Sequence, residues 1–292
     1  MAPNPQDPSL AAFLPVRPRI FGLAYRMLGS ASEAEDLVQE VWLRWQAVDH
    51  SLVVDPPAFL ITTATRLALT ATQSARARRE TYIGPWLPEP VDTSANAALG
   101  AERAQALEFA VLILLEKLNP QERAAYILRE AFDYPYRRIA EILEIQEPYT
   151  RQLVTRARRH LTEQRQAPVP PAEQRRLLAA FLAAAQQGDL ASLESLLTAE
   201  AVSLSDGGGT VRAATVPLLG RRRIAKFAGG IAGRFWSGAT LSWREANGQP
   251  VAVVSRDGVV IVMVAIDASA EGIQQLFWIR NPAKLTAWPE PR

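Results

Sequence analysis

The chain has 292 residues, of which 48% are hydrophobic, and this is enough for two or three domains with apolar cores. The formal net charge is only +2, so a nucleic-acid surface has to come from local clusters of arginine. The lack of cysteine excludes disulfides, cysteine-ligated zinc and thiol nucleophiles, and two histidines are too few for a histidine metal centre. We therefore expect no cofactor and no metal.

The first residues, MAPNPQDPSL, lack the basic segment and apolar stretch of a signal peptide. The longest apolar run, 259–266, is too short to span a bilayer. Together with the lack of cysteine, these features predict a cytoplasmic protein with no membrane partner.

Residues 8–80 have the apolar spacing of helices. In the segment 34–45 the apolar residues make one broad face, and the acidic and amide residues lie elsewhere on the helix. Ser32 is the expected N-cap of this helix, with Glu35 at the capping-box position. Another helix is expected from about residue 58 to residue 80, ending in the arginine cluster 76–79.

Residues 81–104 are predicted to be a linker, because Gly84-Pro85 and the prolines at 88 and 90 block regular structure. An apolar pair, Trp86 and Leu87, stands between these prolines. Such a pair in a stiff segment favours a linker that is docked on another surface, although Trp86 capping a nearby core is an equally good interpretation.

The segment 118–161 predicts two short amphipathic helices, an interruption at 144–146, and a third helix rich in arginine. An interruption this short makes the last two helices cross at a steep angle, which is helix-turn-helix geometry with the final helix in the DNA major groove. The arginine run alone fits a solvated amphipathic helix equally well.

After a second proline-rich segment, 167–171, helices are expected at 174–187 and 190–198. Strand-like runs follow at 201–205, 240–245, 249–255, 258–266 and 273–279. Helices followed by antiparallel strands predict an α+β domain in which helices pack on one curved sheet.

The segments 24–45 and 118–161 resemble regions 2 and 4 of an extracytoplasmic-function (ECF) sigma factor of the sigma-70 family. Three shorter segments, WLPEP (86–90), DGGGT (206–210) and NPAKL (281–285), are similar to those of a subgroup with a fused SnoaL-like domain. The resemblance implies a multi-domain chain: two all-α sigma domains, a helical bundle and a helix-turn-helix, followed by an α+β, cone-shaped SnoaL-like domain.

The expected domain ranges are 8–80 for region 2, 81–104 for the linker, 105–165 for region 4 and 172–288 for the last domain.

By this resemblance the chain is a non-enzymatic transcription initiation factor that binds the clamp and flap of core RNA polymerase and promoter DNA. The polymerase-binding candidates are Asp36, Gln39 and Glu40. The minus-ten candidates are Arg66, Arg76, Arg78 and Arg79. In the recognition helix the base-edge candidates are Arg151, Gln152 and Thr155, and the phosphate candidates are Arg156, Arg158 and Arg159. The segment 70–73 departs from the family pattern, which leaves the strength of minus-ten recognition open.

The resemblance also implies regulation in cis by the C-terminal domain, whose pocket is a candidate site for a small ligand. We expect the three short segments to meet and to hold the sigma domains together. The interdomain candidates are Trp86, Leu87, Pro88, Glu89, Pro90, Asp206, Gly207, Gly208, Gly209, Asn281, Pro282, Lys284 and Leu285.

Two rival functions stay open on the sequence alone. The first is a helix-turn-helix regulator with a ligand-sensing pocket domain, which would bind duplex DNA without polymerase. The second is an isomerase- or cyclase-like enzyme in the C-terminal domain. The sequence after His160 has no histidine, and Asp206 stands in a glycine-rich turn, where aspartate most often caps the turn, so both features disfavour catalysis.

Overall fold

The computed structural model of the protein describes residues 8–94, 107–163 and 165–288. These residues form two units, and the first contains the described residues 8–80, 107 and 111–163. The second contains residues 81–94, 108–110 and 165–288. The predicted linker therefore belongs to the second unit as far as residue 94, and its remainder, 95–104, lies outside the described residues.

Helices build the first unit. They are α1 (Pro8–Phe13), α2 (Arg17–Leu28), α3 (Ala31–Gln46), α4 (Pro56–Glu80), α5 (Phe109–Glu116, in this unit from Val111 onward), α6 (Pro120–Glu130), α7 (Tyr136–Leu143) and α8 (Glu147–Glu163). Helix α3 is capped by Ser30, whose hydroxyl accepts a hydrogen bond from the Glu33 amide at 3.2 Å. The expected capping box of Ser32 and Glu35 is therefore wrong, and Glu35 instead pairs with Arg17 at 2.6 Å.

The core of the first unit lies around α2, whose side chains from Ile20 to Leu28 are all buried. Trp45 of α3 is 1% exposed, and its indole N–H donates to the Ser9 carbonyl at 2.9 Å. Trp42, which the sequence predicts to point inward, is only half-buried and packs on Phe13 with ring centroids 4.9 Å apart.

Helices α7 and α8 form the predicted helix-turn-helix. Glu144 ends α7 in a left-handed conformation, with φ 55°, so the chain turns sharply before α8 begins at Glu147. The inner face of α8 is made by Leu153, Val154 and Ala157, and this places its polar residues on the outer face.

A buried charge network joins α2, α4, α5 and α6 within the first unit. The Glu116 carboxylate accepts from Arg123 at 2.7 Å and from Arg79, and the side chains of these arginines are only 2% and 16% exposed. Arg123 also donates to the Met27 carbonyl at 2.6 Å, and Arg79 donates to the Leu28 carbonyl. Burial lowers the pKa of each arginine to about 10, so both stay charged at neutral pH. Both charges are paired with the Glu116 carboxylate.

The second unit is α+β. Its elements are α9 (Pro171–Gln187), α10 (Leu190–Leu196), β1 (Leu197–Asp206), β2 (Leu218–Leu219), α11 (Arg221–Gly230), α12 (Ala232–Trp236), β3 (Ala239–Ala246), β4 (Gln249–Arg256), β5 (Val259–Ser269), β6 (Gly272–Ile279) and α13 (Pro282–Leu285). They form one six-stranded sheet with the order β2-β1-β6-β5-β4-β3. The expected class, helical segments followed by an α+β domain with helices on a sheet, is confirmed.

One feature of the sheet differs from the prediction. Strands β1 and β6 are parallel neighbours, from Leu197 beside Ile273 to Asp206 beside Ile279, whereas only antiparallel pairing was expected. A parallel pair needs a long crossover, and the intervening chain supplies it with α11, α12 and the β3-β4-β5 meander. The two strands end at the same edge of the sheet, which brings Asp206 near the segment after β6.

The core of the second unit lies between the helices and one face of the sheet. Phe181 and Leu178 of α9 pack there with Val264 of β5 and Leu276 of β6, and all four side chains are fully buried. Before α9, Arg165 donates to Asp267 at 2.9 Å and to Glu108, and burial raises the pKa of that glutamate against the opposing charge of Arg165.

Replacing Glu116 with glutamine should destabilise the first unit by about 3 kcal/mol, because two buried guanidinium groups then lose their counter-charge. Urea unfolding of the full chain, followed by hydrogen exchange of peptides from α2 and α6, measures this change. The matched control is Glu163→Gln, which removes an exposed pair with Arg159 at 3.8 Å and should cost less than about 1 kcal/mol. Equal shifts for the two variants would contradict the role of Glu116.

Candidate functional site

A buried carboxylate stands at the end of β1. The Asp206 side chain has no exposed surface, and its Oδ1 accepts from the Tyr82 hydroxyl at 2.5 Å and the Gly208 amide at 3.1 Å. Its Oδ2 accepts from Lys284 Nζ at 2.7 Å and from the Leu87 amide at 2.9 Å. Four donors satisfy this carboxylate, so it is a fixed anchor and not a base with a free lone pair.

Lys284, the ion-pair partner of Asp206, also contacts the linker residues Trp86 and Leu87. Its Nζ donates to the Leu87 carbonyl and lies 4.5 Å from the Trp86 ring centroid and 5.3 Å from that of Tyr82. The side chain is only 12% exposed, and a desolvated cation–π contact contributes about 2 kcal/mol. One lysine therefore joins the NPAKL, DGGGT and WLPEP segments.

Glycine allows the DGGGT turn to approach its neighbours closely. Gly208 has φ 61°, and a Cβ there would lie 2.4 Å from Nδ2 of Asn281. A Cβ on Gly207 would lie 2.5 Å from the Val211 carbonyl oxygen. Asn281 donates from Nδ2 to the Tyr82 hydroxyl at 2.9 Å and caps α13 by accepting from the Ala283 amide at 3.1 Å.

The linker is also bound at its far end. Asn247 lies in the turn between β3 and β4. Its side-chain Oδ1 accepts from the backbone amide of Val91, and its backbone amide donates to the Val91 carbonyl, each at 2.9 Å. The Thr93 hydroxyl donates to Glu245 at 2.9 Å. Residues 81–94, which we call the docked linker, are thus attached to two separate parts of the second unit. The contacts around Asp206 and Lys284 we call the clamp.

The structure brings the predicted interdomain residues together within the second unit. Trp86, Leu87 and Asp206 each contact Lys284, and Asn281 is joined to Asp206 through the Tyr82 hydroxyl. Among the others, Pro88, Pro90 and Leu285 are buried, Glu89 is half-buried and Pro282 is exposed. Gly207 and Gly208 lie at the turn, and Gly209, with φ 72°, would place a Cβ 3.0 Å from Ile83.

Sequence reasoning missed four residues of this site. They are Tyr82, Glu245, Asn247 and Trp288, whose indole N–H donates to the Pro90 carbonyl at 3.3 Å. Burial and the hydrogen bond to Asp206 raise the pKa of Tyr82, so its hydroxyl remains a neutral donor over the physiological range. An aromatic residue four positions before WLPEP is the one signal that could have indicated Tyr82.

The polymerase-binding candidates lie on the outer side of α3. Asp36 and Gln39 are exposed, and Glu40 is partly exposed and pairs with Arg44 at 2.8 Å. Their spacing of three and four residues places them on one helical face, opposite the buried Leu37 and Val41.

The minus-ten candidates on α4 divide into two groups. Arg66, Arg76 and Arg78 are exposed, and they pair with Glu144, Glu80 and Glu33 respectively. Arg79 does not belong to such an exposed track, because the last turn of α4 directs it into the buried network with Glu116. The expectation of an accessible Arg79 is therefore corrected.

The base-edge candidates lie on the outer face of α8. Gln152 and Thr155 are exposed, as is Arg151, which pairs with Glu147 at 2.5 Å and lies 4.5 Å from the Tyr136 ring centroid. These contacts fix the direction of the Arg151 guanidinium near the start of the helix.

The phosphate candidates carry carboxylate partners. Arg156 pairs with Glu122 at 2.9 Å, Arg158 with Glu130 at 2.6 Å and Arg159 with Glu163 at 3.8 Å. The Arg159 pair is exposed and contributes little to stability, so a DNA phosphate can replace its carboxylate at small cost. The Glu122 side chain is only 8% exposed, so moving Arg156 from it to a phosphate costs more.

Within the described ranges, no helix is long and apolar enough to cross a membrane, and no group of three or more His, Cys, Asp or Glu side chains is placed to hold a metal ion.

Comparison with known proteins agrees with this geometry. Residues 13–78 match the family described as Sigma-70 region 2, and residues 109–161 match the family described as Sigma-70, region 4. Two such regions, the second carrying the helix-turn-helix, define a sigma factor, which is a non-enzymatic transcription initiation factor.

The relatives narrow this class. The chain is 35% identical over 234 residues to the ECF RNA polymerase sigma factor SigJ of Mycobacterium tuberculosis, covering 78% of this chain and 75% of SigJ. It is 37% identical over 197 residues to the probable ECF RNA polymerase sigma factor SigI of the same species, covering 65% and 67%. A crystal structure of SigJ superimposes with a TM-score of 0.75 at 31% identity, over 95% of this chain and 98% of SigJ. The chain belongs to the ECF sigma factor family.

Replacing Asp206 with asparagine should release the docked linker, because Lys284 then loses its counter-charge in a buried site and Leu87 loses an ionised acceptor. Removing one partner of a buried pair costs about 3–5 kcal/mol. Hydrogen exchange of the Leu87 amide in the full chain should become much faster.

The matched control for this prediction is Asp257→Asn, at an exposed turn with φ 53°, a conformation that asparagine tolerates. Protection of the Leu87 amide that is the same in both variants would show that Asp206 does not anchor the linker.

Proposed function

We propose that this sigma factor recognises promoters with two separate surfaces and that its C-terminal unit regulates it in cis by holding the docked linker. The polymerase surface is Asp36, Gln39 and Glu40 on α3, and the DNA surfaces are the exposed arginines of α4 and the outer face of α8. Its place of action is the cytoplasm, in common with the polymerase. The observation that carries the regulatory part is the clamp, which attaches residues 86–90 to the C-terminal unit.

Promoter geometry supports the proposal. Elements centred at minus ten and minus thirty-five are about 25 base pairs apart, which is roughly 85 Å along B-DNA at 3.4 Å per base pair. A compact unit of about 130 residues has a radius of gyration of roughly 14 Å and a diameter of about 36 Å. The first unit contains both α4 and α8, so region 2 and region 4 have to separate before both elements are bound.

Linker length makes this separation dependent on docking. Fully extended, the predicted linker 81–104 reaches about 80–86 Å at 3.3–3.6 Å per residue. When residues 81–94 are docked, more than half of this linker is no longer available to bridge the distance between region 2 and region 4. Release of the clamp therefore gives region 4 the reach that two-point promoter binding needs.

In vitro transcription with core RNA polymerase tests both parts of the proposal. We expect Asp206→Asn and Lys284→Ala to raise initiation several-fold over the unaltered chain, since each weakens the clamp. Asp257→Asn is the matched control and should leave initiation unchanged. Versions cut at about residue 167 and just before Asn281 show the effect of losing the C-terminal unit or its last segment.

The two parts fail in different ways. Absence of polymerase-dependent initiation from every form would contradict promoter recognition by this chain. Initiation that is the same with and without the clamp would contradict regulation through the docked linker while leaving the sigma-factor role intact.

Replacing Arg151 with alanine should lower promoter selectivity by about tenfold or more, because one bidentate base contact gives roughly 1–3 kcal/mol of discrimination. Competition between a promoter duplex and a random duplex at fixed salt measures this selectivity. Arg176→Ala, which removes an exposed arginine paired with Glu173 in the second unit, is the control. Equal weakening on both duplexes would instead assign Arg151 to phosphate contact.

A further inference from the structure

The second unit contains a cavity that the regulatory proposal does not use. Its volume is about 610 Å³, and it lies between the sheet and helices α9, α11 and α12. A cavity of this size fits a small organic molecule, since ligand sites typically measure about 300–1,000 Å³.

Aromatic side chains make much of its wall. The Trp278 ring centroid lies 6.4 Å from that of Phe181 and 6.2 Å from that of Phe235, and Trp236 meets Phe235 edge-on at 4.9 Å. Edges and faces of several rings therefore surround the space, and this arrangement suits a flat apolar body.

Four arginines complete the lining: Arg212, Arg234, Arg256 and Arg280. Among the lining residues, all of which are described, none is acidic and none is histidine. The cavity therefore has cationic groups without a carboxylate to neutralise them and without a base for proton transfer.

Two of these arginines, Arg256 and Arg280, each have one buried N–H donor without a hydrogen-bond acceptor in the described chain. Arg256 donates to the Phe235 carbonyl at 2.6 Å, and Arg280 donates to the Arg212 carbonyl, yet the Nε atom of each is buried and has no hydrogen-bond partner in the described chain. Neither Nε atom has accessible surface, so a ligand in the cavity meets these two arginines through their other guanidinium nitrogens. Burial, together with the charge of Arg256, also lowers the pKa of Arg280, and a bound anion would oppose both effects.

We propose that this cavity binds an aromatic carboxylate. The carboxylate accepts from the guanidinium groups of Arg256 and Arg280, because charge-assisted contacts between arginine and carboxylate are strong and match the planar shape of both groups. The aromatic body lies against Trp278 and Phe235. Ser203 and Ser205, on the β1 side of the cavity, add hydroxyl groups to the lining.

Isothermal titration of the full chain with 2-naphthoate tests the proposal. Its neutral isostere, 2-naphthamide, has the same body without the charge and should bind about tenfold more weakly or worse, as expected when a charge-assisted contact is lost. Decanoate carries the same charge on a flexible aliphatic body and should bind more weakly than 2-naphthoate.

Variants locate the site. Arg256→Gln and Arg280→Gln should each weaken 2-naphthoate binding by about tenfold or more. Arg222→Gln, an exposed change on α11 outside the cavity, should not alter it. Circular dichroism of each variant checks folding, and the comparison of naphthoate with naphthamide on the unaltered chain holds whether or not a variant folds.

Each outcome decides a part of the proposal. No binding of 2-naphthoate up to about 1 mM, which is the weak end of specific affinity, would overturn it. Equal binding of the amide would overturn the role of the arginines, and tighter binding of decanoate would overturn the aromatic class of ligand. Unchanged affinity in both arginine variants would place the ligand elsewhere.

Discussion

The ion pair between Asp206 and Lys284 is the interaction on which the docked linker depends. A carboxylate with no exposed surface is stable only when its lone pairs are satisfied, and here two of the four donors, Tyr82 and Leu87, come from the linker itself. Linker and anchor therefore stabilise each other. Without the linker the aspartate and lysine lose partners, and without the pair the linker loses its principal attachment.

Strand alternation places the clamp and the cavity on opposite sides of the same backbone. Ser205 lines the cavity, and its neighbour Asp206 faces the linker. Just after the end of β6, Arg280 lines the cavity, and the next residue, Asn281, contacts the linker at Tyr82. The Arg280 amide donates to the Asp206 carbonyl at 2.8 Å, so one backbone hydrogen bond joins a residue of the cavity to a residue of the clamp.

Much of the fold could be predicted from the sequence, because apolar spacing determines which helix faces are buried. Helices α3, α4, α6, α7 and α8 and five of the six strands lie within a few residues of their predicted ranges. Helix α11 was missed because Arg221-Arg222-Arg223 obscures the buried spacing of Ile224, Ala225 and Ala228. The capping error has a similar local cause: Gly29, at φ 65°, ends α2 and leaves Ser30 extended, so Ser30 and not Ser32 caps α3.

What could not be predicted depends on long-range pairing. A period of two residues indicates a strand but not its direction, so the parallel pairing of β1 with β6 left no signal. The same holds for Tyr82, whose partner Asp206 is 124 residues away, and for Arg79, whose partner Glu116 belongs to another helix. The three short segments could be expected to meet because each is polar or proline-rich with apolar members and is unsuited to a core strand, and because the family resemblance singled them out.

Because Lys284 lies near the end of the sequence, the clamp can form only late in the synthesis of the chain. Synthesis proceeds from the N-terminus at about 5–20 residues per second, so roughly 6–25 s separate the end of α8 from the emergence of α13. During that interval the helices of regions 2 and 4 are already made, while the anchor for residues 86–90 is incomplete. Each newly made molecule therefore passes through a short period in which its linker has no clamp to bind.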